Sequence, residues 1–363
     1  MNGATSSVVI MAGGTGGHIF PALAVADVLR GRGHAVTWIG TRQGLEAKLV
    51  PDAGIPIEWI EVGGVRGKGL VTLLKSPFIL ARALLQALRI LRRLQPSAAL
   101  GMGGFASGPG GIAARLSGCP LVLHEQNAVP GLTNRMLSHV ATRVMEGFPA
   151  SFPVARNAEY VGNPVRAEIA ALPSPTERFA DRNDAARLLV LGGSQGAHVL
   201  NETLPLAIAR LDTALRPAVW HQTGTRDVEA VTAAYREHGV EARVDAFIDD
   251  MAEAYAWADL AVCRAGALTI AELAAAGLGA LLVPFAAAVD DHQTRNAGFL
   301  TQSGAAERMP QDKFSVDTLV PRLQRLLANR DRLLSMAMHA RTLARNDAAE
   351  RVADACLQPG GAA

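Results

Sequence analysis

A glycine-rich loop between an apolar run and a helical segment occurs once in each half of this chain, and it constrains the fold more than any other feature. The first loop follows the apolar run 8–11 and has the sequence Gly-Gly-Thr-Gly-Gly-His over 13–18. The second follows the apolar run 188–191 and begins at Gly192. After each loop, further apolar runs alternate with helical patterns. This alternation predicts parallel sheets with helices on both faces.

The predicted strands are the apolar runs of this alternation, at 8–11, 35–39, 98–102, 121–123, 143–145, 188–191, 218–220, 243–247, 260–263 and 280–284. A passage rich in proline and glycine, 150–176, interrupts the alternation and indicates a linker. The fold class is therefore α/β, with two Rossmann-like, doubly wound parallel-sheet domains facing each other across a cleft. Ligands of such folds bind outside the carboxyl ends of the strands.

We expect the 363 residues to form an N-terminal domain over 1–163 and a C-terminal domain over 164–340, with a helix over 341–363 returning to the first domain. Hydrophobic residues make up 49% and charged residues 19%, which excludes intrinsic disorder. The three cysteines show neither a disulfide framework nor a metal-ligand spacing, and we expect buried reduced thiols. We expect no signal peptide and no membrane span.

The first glycine loop can present backbone N–H groups to an oxyanion or a sugar hydroxyl at a helix start. It can also serve only as a tight turn between strand and helix. A dinucleotide-binding loop would need a third glycine where Ile19 stands, and a Walker loop would need Lys followed by Ser or Thr where His18 and Ile19 stand. Both the NAD and the ATP interpretations are therefore weakened.

Two further loops, 101–111 and 192–197, are also rich in glycine, follow predicted strands and can present backbone N–H groups. Three such loops at strand ends suggest a bridging ligand with more than one phosphate. A single histidine is more often structural, but His18 opens a helix whose partial positive charge favours the neutral imidazole. We therefore take His18 as the candidate catalytic base.

Three polar segments also follow predicted strands. In 263–273, backbone N–H groups at a helix start can hold a diphosphate, and Glu272 can accept from ribose hydroxyls or form a capping box. The segment 290–296 can bind a sugar by hydrogen bonds or hold a metal. The polar stretch 124–134 at a sheet edge indicates a site more than a core.

The stretch 62–124 contains eight basic residues and no acidic residue. We predict a helix over 76–94. Its basic stripe and the apolar side chains beside it are Lys75, Phe78, Arg82, Leu85 and Arg89. An ordinary solvated arginine face is one alternative. A nucleic-acid patch is another, but the aromatic residues expected between the charges are missing. We expect this helix to lie on an anionic membrane surface, and we expect no nucleic acid partner.

Seven segments in order along nearly the whole chain resemble the motifs of glycosyltransferase family 28, which has the GT-B fold. They are Gly-Gly-Thr-Gly-Gly-His-Ile-Phe-Pro at 13–21, Gly-Lys-Gly at 67–69, Gly-Gly-Phe-Ala-Ser-Gly-Pro-Gly-Gly at 103–111, His-Glu-Gln-Asn at 124–127, Gly-Asn-Pro-Val-Arg at 162–166, Gly-Gly-Ser-Gln-Gly at 192–196 and Arg-Ala-Gly-Ala-Leu-Thr-Ile-Ala-Glu at 264–272.

The resemblance implies an inverting transfer of GlcNAc from UDP-GlcNAc to the C4 hydroxyl of MurNAc in undecaprenyl-diphospho-MurNAc-pentapeptide (lipid I), which gives lipid II for peptidoglycan. It implies no cofactor and no essential metal. It further implies a peripheral enzyme on the cytoplasmic face of the inner membrane, with other cell-wall synthesis proteins as partners. The alternatives are a GT-B glycosyltransferase or UDP-GlcNAc epimerase with a soluble substrate, and a non-catalytic nucleotide-sugar-binding scaffold.

The same resemblance implies the residues that bind UDP-GlcNAc. In the first half these are Thr15, Gly16, Gly17, Asn127 and Arg166, of which Arg166 holds the diphosphate. In the second half Ser194 also holds the diphosphate, the backbone of Ile248 contacts uracil, and Gln293 reaches the GlcNAc hydroxyls. Phosphate and ribose are bound by Ala267, Leu268, Thr269, Ile270, Ala271 and Glu272.

Overall fold

The computed structural model describes residues 6–63, 70–193, 196–285 and 291–360, and within them the side chains of 70–75 are left aside. The chain divides into two compact units. The first unit comprises 1–166 and 345–363, and the second comprises 167–344. Parts of the sequence predictions lie outside the described residues, namely the motif 67–69, Ser194 and Gln195 of the second glycine loop, Asp290 and the side chain of Lys75.

The first unit contains seven described strands, which are β1 (Ser7–Ala12), β2 (Ala35–Gly40), β3 (Ile57–Trp59), β4 (Ala98–Gly103), β5 (Leu121–Glu125), β6 (Arg143–Glu146) and β7 (Glu159–Tyr160). They form one sheet in the order β3-β2-β1-β4-β5-β6-β7. Every pairing in this sheet is parallel. The helices of this part of the chain are α1 (Gly16–Gly31), α2 (Glu46–Asp52), α3 (Leu70–Leu94), α4 (Ser107–Leu116) and α5 (Leu132–Leu137).

The central strand β1 is buried on both faces, as its unbroken apolar run predicts. Val8 and Ile10 pack into the core beneath α1. Val9 and Met11 point to the opposite face and pack against α3 and α4. The alternation of side chains along one strand therefore builds two cores, one on each face of the sheet.

The second unit contains six described strands, β8 (Arg187–Leu191), β9 (Ala218–Gln222), β10 (Ala242–Asp245), β11 (Leu260–Cys263), β12 (Ala280–Leu282) and β13 (Ala306–Arg308). They form a sheet in the order β10-β9-β8-β11-β12-β13, again with parallel pairings throughout. Its helices are α6 (Ala167–Ala170), α7 (Pro175–Phe179), α8 (His198–Ala209), α9 (Val228–Glu237), α10 (Met251–Trp257), α11 (Ala267–Ala276), α12 (His292–Thr301), α13 (Val316–Leu327) and α14 (Arg330–Thr342).

The last described helix, α15 (Ala348–Leu357), belongs to the first unit. Val352 and Cys356 are fully buried in the core shared with α1 and the sheet. At the surface of the same helix, Arg351 donates to Glu159 at 2.6 Å. The chain therefore contributes to the first unit from both of its ends.

The predicted fold class is confirmed, because both sheets are parallel and lie between helices. The prediction missed β3, β7 and β13, each of which has two or three residues and ends its sheet. The predicted helix start at Ser76 was wrong, since α3 begins at Leu70 and contains Pro77. The passage 150–176 is not a bare linker, since it holds β7 and α6. None of the described helices is both long enough and apolar enough to cross a bilayer.

Candidate functional site

Two of the glycine loops of the first unit touch each other where neighbouring strands end. Gly13 follows β1 and Gly104 follows β4, and these strands pair in the sheet. A Cβ added to Gly104 would lie 2.2 Å from the carbonyl oxygen of Gly13, and Gly104 also has a φ of +84°. Only glycine fits this contact, because any side chain would clash and the backbone conformation is left-handed.

The helix α1 starts from this loop without a side-chain cap. Its N-cap Thr15 has an extended backbone and makes no capping hydrogen bond through its side chain. The first N–H groups of a helix have no partner inside the helix, and here they belong to Gly16 and Gly17. These donors and the partial positive charge of a 16-residue helix suit an oxyanion.

A buried carboxylate, which the sequence analysis missed, holds the first loop in place. Glu46 opens α2 and is fully buried. It accepts hydrogen bonds from the backbone N–H of Gly14 at 3.0 Å and from the backbone and hydroxyl of Thr41 at 3.1 and 2.7 Å. Its signal in the sequence is an acidic residue at a helix start shortly after a strand. Nothing in the sequence indicates its partner, which lies 32 residues away.

His18 lies in the first turn of α1 and is half-buried. Its Nδ1 is 2.8 Å from Oε1 of Gln126, in the loop after β5. Its ring packs against Gly103, where a Cβ would lie 2.9 Å from Cε1. The imidazole is therefore held at the carboxyl edge of the sheet by contacts on two sides.

The polar stretch after β5 is organised around the buried carboxylate of Glu125. This carboxylate accepts from the backbone and side-chain nitrogens of Asn127 at 2.9 and 3.1 Å. It also accepts from the backbone of Gly131 at 3.1 Å and from the side chain of Asn134 at 3.0 Å. The structure therefore brings Asn127 and His18 to the same edge, after strands β5 and β1, which are separated in the sheet by β4.

Arg166 lies beside the start of α1. Its guanidinium carbon is 5.7 Å from the centroid of the Phe20 ring. The same ring packs on Gly16, whose Cβ would lie 3.0 Å from it. A permanent positive charge therefore adds to the donors of the α1 N-terminus.

In the second unit, α11 starts directly after β11 and also lacks a side-chain cap. Its N-cap is Gly266, and the described helix has no acidic residue in its first turn. The N–H groups of Ala267 and Leu268 therefore have no partner within the helix and lie at its positive end. Glu272 lies in the second turn, so the capping-box alternative for this residue is wrong.

Glu272 is buried and is held by a tyrosine. The hydroxyl of Tyr255, on α10, donates to Oε2 of Glu272 at 2.9 Å. Tyr255 is itself fully buried, so this hydrogen bond fixes the direction of the carboxylate. Tyr255 is a second residue that the sequence analysis missed.

Two other predicted residues of the second unit also follow strands, Ile248 in the segment after β10 and Gln293 in the first turn of α12, after β12. Ile248 is buried after β10. The Oε1 atom of Gln293 accepts from the backbone N–H of Phe285 at 2.8 Å, so the amide nitrogen is the donor end of this side chain. Gln222, at the end of β9, binds both backbone groups of Gly193 through its amide, at 3.0 and 3.1 Å, and was not predicted.

The apolar face of α3 is exposed as predicted, since Phe78 is 79% and Leu85 is 53% accessible. Its positive stripe is partly neutralised by acidic residues that precede the basic stretch. Arg82 pairs with Glu61 at 2.9 Å, while Arg89 is exposed. The composition of 62–124 therefore overstates the charge of this face.

The described part of the chain contains no cluster of side chains that could hold a metal ion. Cys119, Cys263 and Cys356 are all free thiols. Burial raises the pKa of Cys119 to about 11 and that of Cys263 and Cys356 to about 12. All three therefore remain protonated and unreactive near neutral pH.

Two buried histidines belong to the framework of the two units. His124 donates from Nε2 to the carbonyl of Gly162 at 2.8 Å, and burial lowers its pKa to about 4. His221 lies between Asn201 and Tyr235, at 3.1 and 3.0 Å, and burial lowers its pKa to about 3. Both imidazoles are therefore neutral in the folded protein near neutral pH.

Comparison with protein families gives a match in each unit. The glycosyltransferase family 28 N-terminal domain matches residues 8–146, and the glycosyltransferase family 28 C-terminal domain matches residues 187–352. Together these matches cover the glycine loops and both sheets apart from the short edge strand β7.

Curated relatives match over nearly the full chain. The UDP-N-acetylglucosamine--N-acetylmuramyl-(pentapeptide) pyrophosphoryl-undecaprenol N-acetylglucosamine transferase of Nitrosococcus oceani is 60% identical, over 97% of this chain and 98% of the relative. The protein of the same name from Marinobacter nauticus is 53% identical, over 96% of each chain. Among solved structures, MurG of Acinetobacter baumannii superposes with a TM-score of 0.85 and 42% identity, over 97% of this chain and 99% of that one.

The buried histidines predict a loss of stability in mild acid. The unfolded chain binds protons at histidines below about pH 6.5, whereas the folded pKa values of His124 and His221 are about 4 and about 3. Lowering the pH from 6.5 to 4 should therefore reduce the free energy of unfolding, by up to roughly 1.4 kcal/mol per pH unit for each histidine. Urea unfolding at a series of pH values measures this slope.

Replacing His221 by Gln should make the slope shallower. Replacing the exposed His139 by Gln should leave it unchanged and provides the control. An equal slope in all three proteins would contradict the assignment of the acid sensitivity to buried histidine.

Proposed function

Because this chain belongs to glycosyltransferase family 28, we propose that it transfers N-acetylglucosamine from UDP-GlcNAc to lipid I and so forms lipid II for peptidoglycan synthesis. The observation that carries this function is the 60% identity, over nearly the whole of both chains, to a curated transferase of that name. The chain is accordingly a UDP-GlcNAc-dependent glycosyltransferase of GT-B fold. We propose the roles of individual residues from the contacts at the carboxyl edges of the two sheets.

In the second unit we propose that the N-terminus of α11 binds the diphosphate of UDP-GlcNAc. The N–H groups of Ala267, Leu268 and Thr269 support this role, since they lie at the positive end of a helix without a side-chain cap. As the sugar bond breaks, negative charge grows on the departing UDP. Donors already fixed in position stabilise that charge without reorganisation, as a metal ion does in other enzymes.

The nucleoside and sugar contacts are proposed from the family resemblance. The remaining proposed donor contacts in α11 are Ile270 and Ala271, with Glu272 on the ribose hydroxyls and the backbone of Ile248 on uracil. The hydrogen bond from Tyr255 supports the role of Glu272, because it presents the carboxylate in one direction. Gln293 would donate from its amide nitrogen to a GlcNAc hydroxyl, since its oxygen already accepts from Phe285. Ser194 is proposed to contact the diphosphate.

In the first unit the proposed UDP-GlcNAc contacts are the loop residues Thr15, Gly16 and Gly17, together with Asn127 and Arg166. The first N–H groups of the uncapped α1 and the guanidinium beside them support binding of an anionic group. The loop residues directly precede His18 in the chain, and Asn127 follows its partner Gln126, so the reacting sugar would lie next to the proposed base.

We propose that His18 acts as the general base of a single displacement. Its imidazole removes the proton from the C4 hydroxyl of MurNAc as that oxygen attacks the anomeric carbon of GlcNAc. The bond from the anomeric carbon to the UDP oxygen breaks in the same step, and the electron pair leaves with UDP. Attack from the face opposite the leaving group inverts the anomeric configuration.

The exposed face of α3 is proposed to bind the anionic cytoplasmic surface of the inner membrane, where lipid I is available. Phe78 and Leu85 would enter the interfacial region, and Arg89 would attract anionic headgroups. The ion pair with Glu61 reduces the contribution of Arg82. Apolar contact should therefore contribute more to binding than the charge of the sequence suggests.

Replacing His18 by Ala should reduce acceptor-dependent release of UDP by about 100-fold or more, because the proton of the attacking hydroxyl loses its acceptor. UDP release from UDP-GlcNAc is measured with and without a lipid I analogue. Binding of UDP-GlcNAc should change little, and the exposed His139→Ala variant serves as the control. Wild-type release without acceptor would indicate a hydrolase or epimerase, and full activity of His18→Ala would exclude His18 as the base.

Replacing Tyr255 by Phe should raise the KM for UDP-GlcNAc by on the order of tenfold, because a hydrogen bond to a carboxylate contributes about 2 kcal/mol. The kcat should change less, since the ribose is remote from the reacting bond. Steady-state kinetics with varied UDP-GlcNAc measure both constants. Tyr160→Phe is the matched control, and an unchanged KM in Tyr255→Phe would contradict the role of Glu272.

The double change Phe78→Ser and Leu85→Ser should weaken binding to vesicles of phosphatidylglycerol and phosphatidylcholine by about tenfold or more, because two apolar side chains lose their burial. Glu61→Gln should strengthen binding severalfold by removing a negative charge from the same face. Cosedimentation measures both effects. Val154→Ser, which changes an apolar residue that is 92% exposed elsewhere on the first unit, is the control. Equal binding by all variants would contradict the proposed face.

A further inference from the structure

We infer that a chain of three hydrogen bonds, from the carbonyl of Gly162 through His124 and Gln126, holds His18 in the tautomer that can accept a proton at Nε2. His124 and Gln126 are thus positioning residues. Neither was among the predicted site residues, and no contact with substrate is assigned to them. The consequence for catalysis rests on the proposed function of His18 as the base, whereas the tautomer itself can be measured without any reaction.

The first bond of the chain fixes the tautomer of His124. Its Nε2 lies 2.8 Å from the carbonyl oxygen of Gly162. A carbonyl oxygen can only accept, so Nε2 must carry the hydrogen. His124 is fully buried and its pKa is lowered to about 4, so the ring carries a single proton. Its Nδ1 is therefore a bare acceptor.

The second bond fixes the direction of the Gln126 amide. The amide nitrogen lies 3.0 Å from Nδ1 of His124 and 3.1 Å from the backbone carbonyl of His124. Both of these neighbours are acceptors. If the amide were reversed, its oxygen would face the lone pairs of these two acceptors with no hydrogen between them. The amide nitrogen must therefore face His124. Because Gln126 is buried, no solvent competes for this choice.

The third bond transmits this direction to His18. With its nitrogen facing His124, the amide presents Oε1 to Nδ1 of His18 at 2.8 Å. An amide oxygen can only accept, so Nδ1 of His18 carries the hydrogen. The neutral ring then has its lone pair on Nε2, which is the atom available to a substrate hydroxyl. In the other tautomer Nε2 would be a donor and could not act as a base.

The first member of the chain is itself fixed by the fold. Gly162 has a φ of +85°, and a Cβ there would lie 2.4 Å from the Cβ of Arg345. The backbone at Gly162 is thus packed against the segment that leads into α15, within the first unit. The segment that leads into α15 therefore helps to set the direction of this carbonyl and, through the chain of hydrogen bonds, the tautomer of His18.

An amide at position 126 does what a carboxylate there could not. Gln126 donates to His124 and accepts from His18 with the two ends of one group. A carboxylate would present acceptors to both neighbours and leave the bare Nδ1 of His124 unsatisfied. The chain therefore needs a group with a donor and an acceptor at opposite ends, and it leaves the base next to a neutral partner.

The test is ¹⁵N NMR of histidine-labelled protein at neutral pH, because the shifts of protonated and bare ring nitrogens are well separated. His18→Gln and His124→Gln identify the two sets of signals. We expect His18 to carry its hydrogen on Nδ1 and His124 to carry it on Nε2. A wild-type spectrum with His18 protonated on Nε2 would overturn the inference, whatever the activity of the protein.

Gln126→Met tests the transmission along the chain. It keeps a side chain of similar length but removes the hydrogen bonds of Gln126 to His124 and to His18. We expect the His18 signals to move toward the Nε2-protonated tautomer, with kcat reduced about tenfold or more and the KM for UDP-GlcNAc unchanged within about twofold. Gln86→Met, on α3, is the control and should keep both the spectrum and the kinetics of the wild type.

An unchanged His18 tautomer in Gln126→Met would overturn the inference. Failure of the proposed function gives a different result. In that case the expected spectrum is found in the wild type, but His18→Ala keeps full activity.

Discussion

Every described strand pairing in both sheets is parallel, and this constraint determines where the chemistry of the molecule lies. Parallel strands end at one edge of their sheet, so the loops that follow them converge there. The backbone groups of these loops have no strand partners. Buried side chains supply the missing hydrogen bonds, through Glu46, Glu125 and Glu146 in the first unit and Gln222 in the second.

The same edges also leave some donors without a side-chain partner. The helices that start at Gly16 and Ala267 have no side-chain cap. Because the neighbouring loops are held by buried side chains, these helix starts are fixed in position before a ligand binds. Buried side chains thus hold the loops in place, while the N–H groups at the two helix starts have no side-chain cap where a diphosphate would bind. Electrostatic stabilisation of a departing anion requires such donors to be fixed in advance.

The features that could be predicted are those that depend on the local pattern of apolar, polar and glycine residues. The strand β1 and its glycine loop follow from an unbroken apolar run next to residues that permit sharp turns. His18 followed from its place at a helix start, and the parallel sheets followed from the alternation of strands and helices. The two- and three-residue edge strands β3, β7 and β13 were missed because so few residues carry no detectable alternation. The early start of α3 was missed because Pro77 is typical of a first turn.

The residues that orient the site could not be predicted, because their partners are distant in the chain. Gln126 is 108 residues from His18, and Glu46 is 32 residues from Gly14. In the sequence, these side chains cannot be distinguished from other polar residues, because their partners become neighbours only in the folded chain. The positive charge of the α3 face was overestimated for the same reason. Glu61 lies outside the acid-free stretch in sequence but pairs with Arg82 in space.

The proposed reaction is a direct displacement at the anomeric carbon of GlcNAc by the C4 hydroxyl of MurNAc. The most direct measurement is an NMR spectrum of the product formed from UDP-GlcNAc, labelled with ¹³C at its anomeric carbon, and a lipid I analogue. We expect a single product whose one-bond coupling identifies a β linkage, and whose long-range correlation joins that carbon to C4 of MurNAc. An α linkage, attachment at another position, or a labelled sugar that is epimerised or released free would contradict it.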